Sequence, residues 1–72
     1  MLHLHPTSKR VAGGFVPMVT LRGDDGRMVG SKCPGPQARE YQTYTNPKAA
    51  SFAALEVALR IQARLPTMVV VA

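Results

Sequence analysis

Apolar and polar positions change their period twice along the chain. Between Phe15 and Arg22 the residues are apolar or β-branched apart from Pro17 and Arg22, which predicts a strand. Pro17 places that strand at a sheet edge or near its own start, because proline has no N–H to give a ladder. From Pro47 to Leu65 the spacing becomes helical. On a wheel turning about 100° per residue, Phe52, Leu55, Leu59 and Ala63 share one arc, and Ala50, Ala54, Val57, Ile61 and Leu65 share a second, adjoining one.

Turn chemistry joins these blocks. Gly23-Asp24-Asp25-Gly26 reads as a hairpin turn, with acids that tolerate tight turns and a glycine suited to positive φ. A three-residue loop pairs Leu21 with Val29 and Val19 with Ser31, and a four-residue loop pairs Leu21 with Met28 and Val19 with Gly30. The second strand is then Arg27 to Lys32. Cys33 to Ala38, with two prolines flanking a glycine, is a loop. Arg39 to Thr45 alternates Tyr41, Thr43 and Thr45 against Gln42 and Tyr44 and predicts a third strand. Asn46 is a preferred N-cap, Pro47 suits the first helical position and Pro66 stops the helix. Thr67 to Val71 is a fourth strand, or a tail that pairs with another chain. Residues 1–14, where Pro6, Thr7 and Ser8 interrupt the alternation of Leu2 and Leu4 with His3 and His5, read as an irregular or partly flexible segment with at most a short edge strand at Leu2 to His5.

The fold class expected is α+β. A small antiparallel sheet of three strands, or four, carries one C-terminal helix across one face, in the order β-β-β-α(-β), within a single domain at 15–72. The core expected is Val19, Leu21, Val29, Tyr41, Phe52, Leu55 and Leu59. Only Glu56, Arg60 and Arg64 interrupt the apolar surface of the helix as a charged stripe. A helix so apolar wants cover on two sides. With the Phe52 arc on the sheet, Ala54, Val57 and Ile61 form the second face, to be covered by Met68 and Val70 of the chain's own tail or by another chain.

That order over Phe15 to Arg64, with its Asn46-Pro47 helix start, resembles the small three-stranded sheet plus helix of HicB-type antitoxins. It also resembles double-stranded RNA-binding domains without their first helix, although Lys48 stands alone where those domains would carry a lysine cluster. No shared motif carries either likeness.

Size and charge narrow the function. A chain of 72 residues buries only about 60% of its unfolded surface, and domains this small are usually supplemented by disulfides, metal or oligomerisation. Cys33 is the single cysteine, so no internal disulfide forms and oligomerisation is the supplement left. One thiol and the lack of a signal-peptide pattern at the N-terminus lead to the expectation of a cytoplasmic protein, with no membrane association. The net charge of +5 comes from nine Lys and Arg against four Asp and Glu. It is dispersed along the chain, as in proteins that simply stay soluble.

Chemistry is sparse. His3 and His5 lie near the terminus, Cys33 has no obvious base, and Asp24 and Asp25 serve a turn, so no catalytic residue, metal, cofactor or small-molecule substrate is expected. The function expected is that of a small non-enzymatic accessory protein acting through protein contact, as a homodimer or a subunit of a larger assembly. Its interface residues are Ala54, Val57, Ile61, Met68 and Val70. The alternative is a basic nucleic-acid-binding module or small regulator using Arg22, Arg27, Lys32, Tyr44 and Lys48.

Overall fold

A tight turn at Ala12-Gly13 folds strand β1 (His3–Val11) back along strand β2 (Gly14–Arg22) in the computed structural model, which describes residues 1–35, 37–38 and 41–71. The pair is antiparallel and unbroken from His3 opposite Arg22 to Val11 opposite Gly14. Strand β3 (Met28–Lys32) lies antiparallel on the far side of β2, and the two-residue strand β4 (Val69–Val70) lies parallel to β1. The sheet is therefore mixed, in the order β3-β2-β1-β4. Helix α1 (Pro47–Arg64) packs against β1 and β2, giving the β-β-β-α-β order of an α+β fold.

Residues 1–14, expected to be irregular, instead supply a central strand. Within β1 only Leu4 is a large, fully buried apolar residue, so the hydrophobic signal is weak; the strand is held by its long ladder with β2. Leu4 faces Leu21 and Pro6 faces Val19 on the helix side. The opposite face carries His5 beside Thr20 and Thr7 beside Met18, and among the described residues no other helix or strand packs on it.

The third strand expected at Arg39 to Thr45 is absent over its described part. Arg39 and Glu40 lie outside the described residues, and from Tyr41 to Thr45 there is one bridge, Tyr44 to Phe15. Gln42, Thr43 and Thr45 are exposed, so the segment has no apolar face to fix it to a core. The strand order that suggested antitoxin or RNA-binding folds over residues 15–64 is therefore not present. Pro17 fits this layout. The Phe15 N–H points away from β1 toward the Tyr44 carbonyl at 2.9 Å, and the nitrogen of Pro17, two residues on, points the same way. It falls in the gap between the Tyr44 bridge and the start of the β3 ladder at Val19–Lys32, where no donor is required.

The expected three-residue loop Asp24-Asp25-Gly26 forms at the turn, but a bulge beyond it displaces the expected pairs of Leu21 and Val19 by one residue. Val19 pairs with Lys32 and Leu21 with Gly30, and then the register shifts so that Arg22 meets Met28. The loop is closed by hydrogen bonds from the Gly23 N–H to the Arg27 carbonyl and from the Gly26 N–H to the Gly23 carbonyl, with Gly26 at φ 81°. The skipped residue is Val29. Its bulged position leaves it 59% exposed rather than in the core.

Leu4, Val16 and Val19 are the largest fully buried side chains, and Leu4 and Val19 pack with Ala54 and Ala58. Leu21 packs on this group as expected, but Tyr41 and Leu55 are only half-buried, and Phe52 and Leu59 are exposed.

Candidate protein-contact surface

Alanines decide which side of α1 meets the sheet. Ala50, Ala54 and Ala58 recur every four residues, and each has no exposed surface. With only a methyl group at these positions, the helix axis can lie close to the strands. Val57 and Ile61 occupy the shoulder beside them and pack on the Leu4–Val19 group together with Met68 and Val70. Gln62 ties the returning chain to the helix by donating to the Met68 carbonyl at 3.2 Å.

The five residues expected at an interface are thus brought together, but inside one chain. Ala54 is fully buried, and Val57 and Ile61 are partly buried against the same core group as Met68 and Val70 of the tail. The helix sits rotated from the expected orientation, and its other apolar arc faces outward. Phe52 is 66% exposed and Leu59 is 50% exposed. Leu55, half-buried between them, continues the stripe, and Pro6, Lys48, Ser51, Phe52 and Leu55 line a shallow apolar groove. Burying a Leu or Phe side chain is worth about 1.5–3 kcal/mol, so this stripe is the largest unspent apolar surface on the helix. Sequence reasoning assigned Phe52, Leu55 and Leu59 to the core. The overlooked signal was the alanine repeat, which suits close approach to a sheet better than an arc bearing Phe52.

The residues considered for nucleic acid lie on the β2–β3 hairpin, on the Tyr44 bridge and at the start of α1. The Arg22 Nη1 donates to the Gly26 carbonyl at 2.8 Å, and the exposed Arg27 donates its backbone N–H to Asp25 Oδ1 at 3.0 Å. Lys32 lies opposite Val19 on the helix side of the sheet. Tyr44 is fixed by its backbone pairing to Phe15, with its hydroxyl 3.5 Å from Gln42 Oε1. Lys48 lies in the first turn of α1 beside the Phe52 groove.

Asp24 has a structural partner set. Its carboxylate accepts from the N-terminal ammonium at 3.0 Å and lies 3.1 Å from His3 Nε2. The His3 hydrogen bond, followed by that of the terminal ammonium, holds the carboxyl below the usual aspartate value. Cys33 Sγ lies 3.7 Å from the Pro34 carbonyl. Among the described residues, no three His, Cys, Asp or Glu side chains gather as metal ligands would, and no helix is long and apolar enough to cross a membrane.

Comparison of the chain with protein-family models, curated proteins and solved structures gives no match.

Proposed function

We propose that this is a non-enzymatic accessory protein that acts through protein contact, using the outer stripe of α1 to pair with a second copy of itself. The supporting observation is the exposure of Phe52 and Leu59 on a helix that already meets the sheet through its alanine side. Self-pairing suits the spacing. In an antiparallel arrangement about a two-fold axis at Leu55–Glu56, Phe52 of one copy opposes Leu59 of the other, as an isologous interface requires. A stable interface needs roughly 800 Å² from each partner, about a sixth of the 5065 Å² surface of the chain. Three side chains form only its centre, so Lys48, Glu56 and Ala63 must join as the rim.

Sedimentation of the parent and of a Phe52→Asp, Leu59→Arg variant tests this reading. A dimer in the parent and a folded monomer in the variant are expected. A parent that is monomeric at all accessible concentrations would defeat the homodimer. Retention on DNA or RNA that falls steeply with salt would favour the nucleic-acid alternative instead.

A further inference from the structure

On the flank of α1 away from the Phe52 groove, we propose a binding site for an acidic segment of a protein partner, one whose carboxylates flank apolar side chains. Lys32 from β3 and Arg60 and Arg64 from α1 line one depression there, and Val57 and Ile61 contribute its apolar lining. Three of the nine Lys and Arg residues in the chain thus share one concavity. They come from two elements, β3 and α1, that lie far apart in sequence.

Charge favours an anionic occupant. Arg60 and Arg64 stand one helical turn apart, a like-charge spacing that is mildly unfavourable in isolation, and Lys32 brings a third positive charge to the same rim. Glu56 offsets this weakly, since it lies 3.9 Å from Arg60 with both side chains more than 70% exposed. The lining selects among anions. A phosphodiester backbone would use the cations and leave Val57 and Ile61 wet, whereas a peptide alternating carboxylates with leucine-like side chains uses both. The net charge of +5 would steer such a segment in. The site borrows from the protein-contact reading only the idea that the ligand belongs to a protein; it does not need the Phe52 stripe to be occupied.

The test is an amide-shift NMR titration of the full chain with three probes: a blocked peptide of glutamates and leucines, the same peptide with serines for leucines, and oligothymidylate. The leucine peptide should shift Lys32, Val57, Ile61 and Arg64. Serine should weaken it at least about fivefold, in line with lost apolar burial. Reversing two rim charges with Lys32→Glu and Arg64→Glu should weaken it by about tenfold or more at low salt. Both residues are exposed, so the fold should survive; Lys32→Gln with Arg64→Gln should give a smaller loss in the same direction. Phe52→Asp should leave peptide binding unchanged even where it abolishes self-association, which separates failure of this site from failure of the dimer. Shifts confined elsewhere, equal binding of the serine peptide, indifference to charge reversal, or tighter binding of oligothymidylate at these residues would each overturn the proposal.

Discussion

The carbonyl of Tyr44 occupies the space that a side chain on Gly14 would need. Gly14 has φ +142°, a region closed to L side chains, and its neighbour Phe15 exchanges two backbone hydrogen bonds with Tyr44, at 2.9 and 2.8 Å. Glycine is thus required twice, by conformation and by close approach. Gly14→Ala should destabilise the fold by about 1–3 kcal/mol, read as a lower urea midpoint with an unchanged slope.

Leu4 and Phe52 should respond in opposite ways to truncation. Leu4 is fully enclosed beside Val19, Ala54 and Ala58, so Leu4→Ala should cost about 2–5 kcal/mol. Phe52→Ala removes a side chain that is 66% exposed and should change thermal stability of the monomer by no more than about 0.5 kcal/mol. Circular dichroism melts of the two variants decide it.

Enlarging the alanine strip should be harmful. Ala54 and Ala58 set the distance between α1 and the sheet, and extra methylenes there force the helix outward. Ala54→Leu should lose about 1–3 kcal/mol despite leucine's good helix propensity. A variant as stable as the parent would mean that the helix can lift without loss.

Asn46 caps α1 by accepting the Ala49 N–H on Oδ1 at 2.8 Å. Asn46→Ala leaves that donor to water and should cost about 1 kcal/mol. Amide exchange should quicken first at Ala49 and its neighbours in the opening turn.

Asp24 links stability to acid. Its carboxyl titrates below the usual aspartate value because the His3 hydrogen bond and the terminal ammonium favour the charged form. A depressed native value means that the unfolded chain binds the proton first as pH falls. The contribution is therefore complete above the ordinary aspartate value and disappears as pH drops through the native one. The pair is exposed, so the effect is small and salt-sensitive. Melting curves of Asp24→Asn should lie below the parent at neutral pH and converge with it in acid, and parallel curves would refute the linkage.

Local chemistry made part of this fold legible in the sequence. Asn46 and Pro47 open the helix and Pro66 follows its end, and Phe15 to Arg22 is one strand because its apolar run has no helical spacing. What stayed hidden depends on partners far along the chain. His3–Val11 is a strand through its ladder with β2, despite Pro6, Lys9 and Arg10. Arg39 to Thr45 alternates like a strand yet finds a partner only at Tyr44 among its described residues. The sheet-facing side of α1 differs from the expected one by a rotation. Both arcs of α1 are apolar, and the choice between them lay in side-chain size, which a hydrophobic wheel does not weigh.

The parallel pairing of β4 with β1 sets an order of events during synthesis. His3 and Leu4 leave the ribosome early, and β2 can close on them as soon as the Ala12-Gly13 turn is made. Their other edge must wait for Val69 and Val70, nearly the whole length of the chain later. Throughout that interval β1, an inner strand of the finished sheet, is an outer one, with backbone donors and acceptors open to any extended neighbour. A nascent chain halted before Val69 would therefore be expected to hold a hairpin in which the strand carrying the enclosed Leu4 is, for that moment, an open edge.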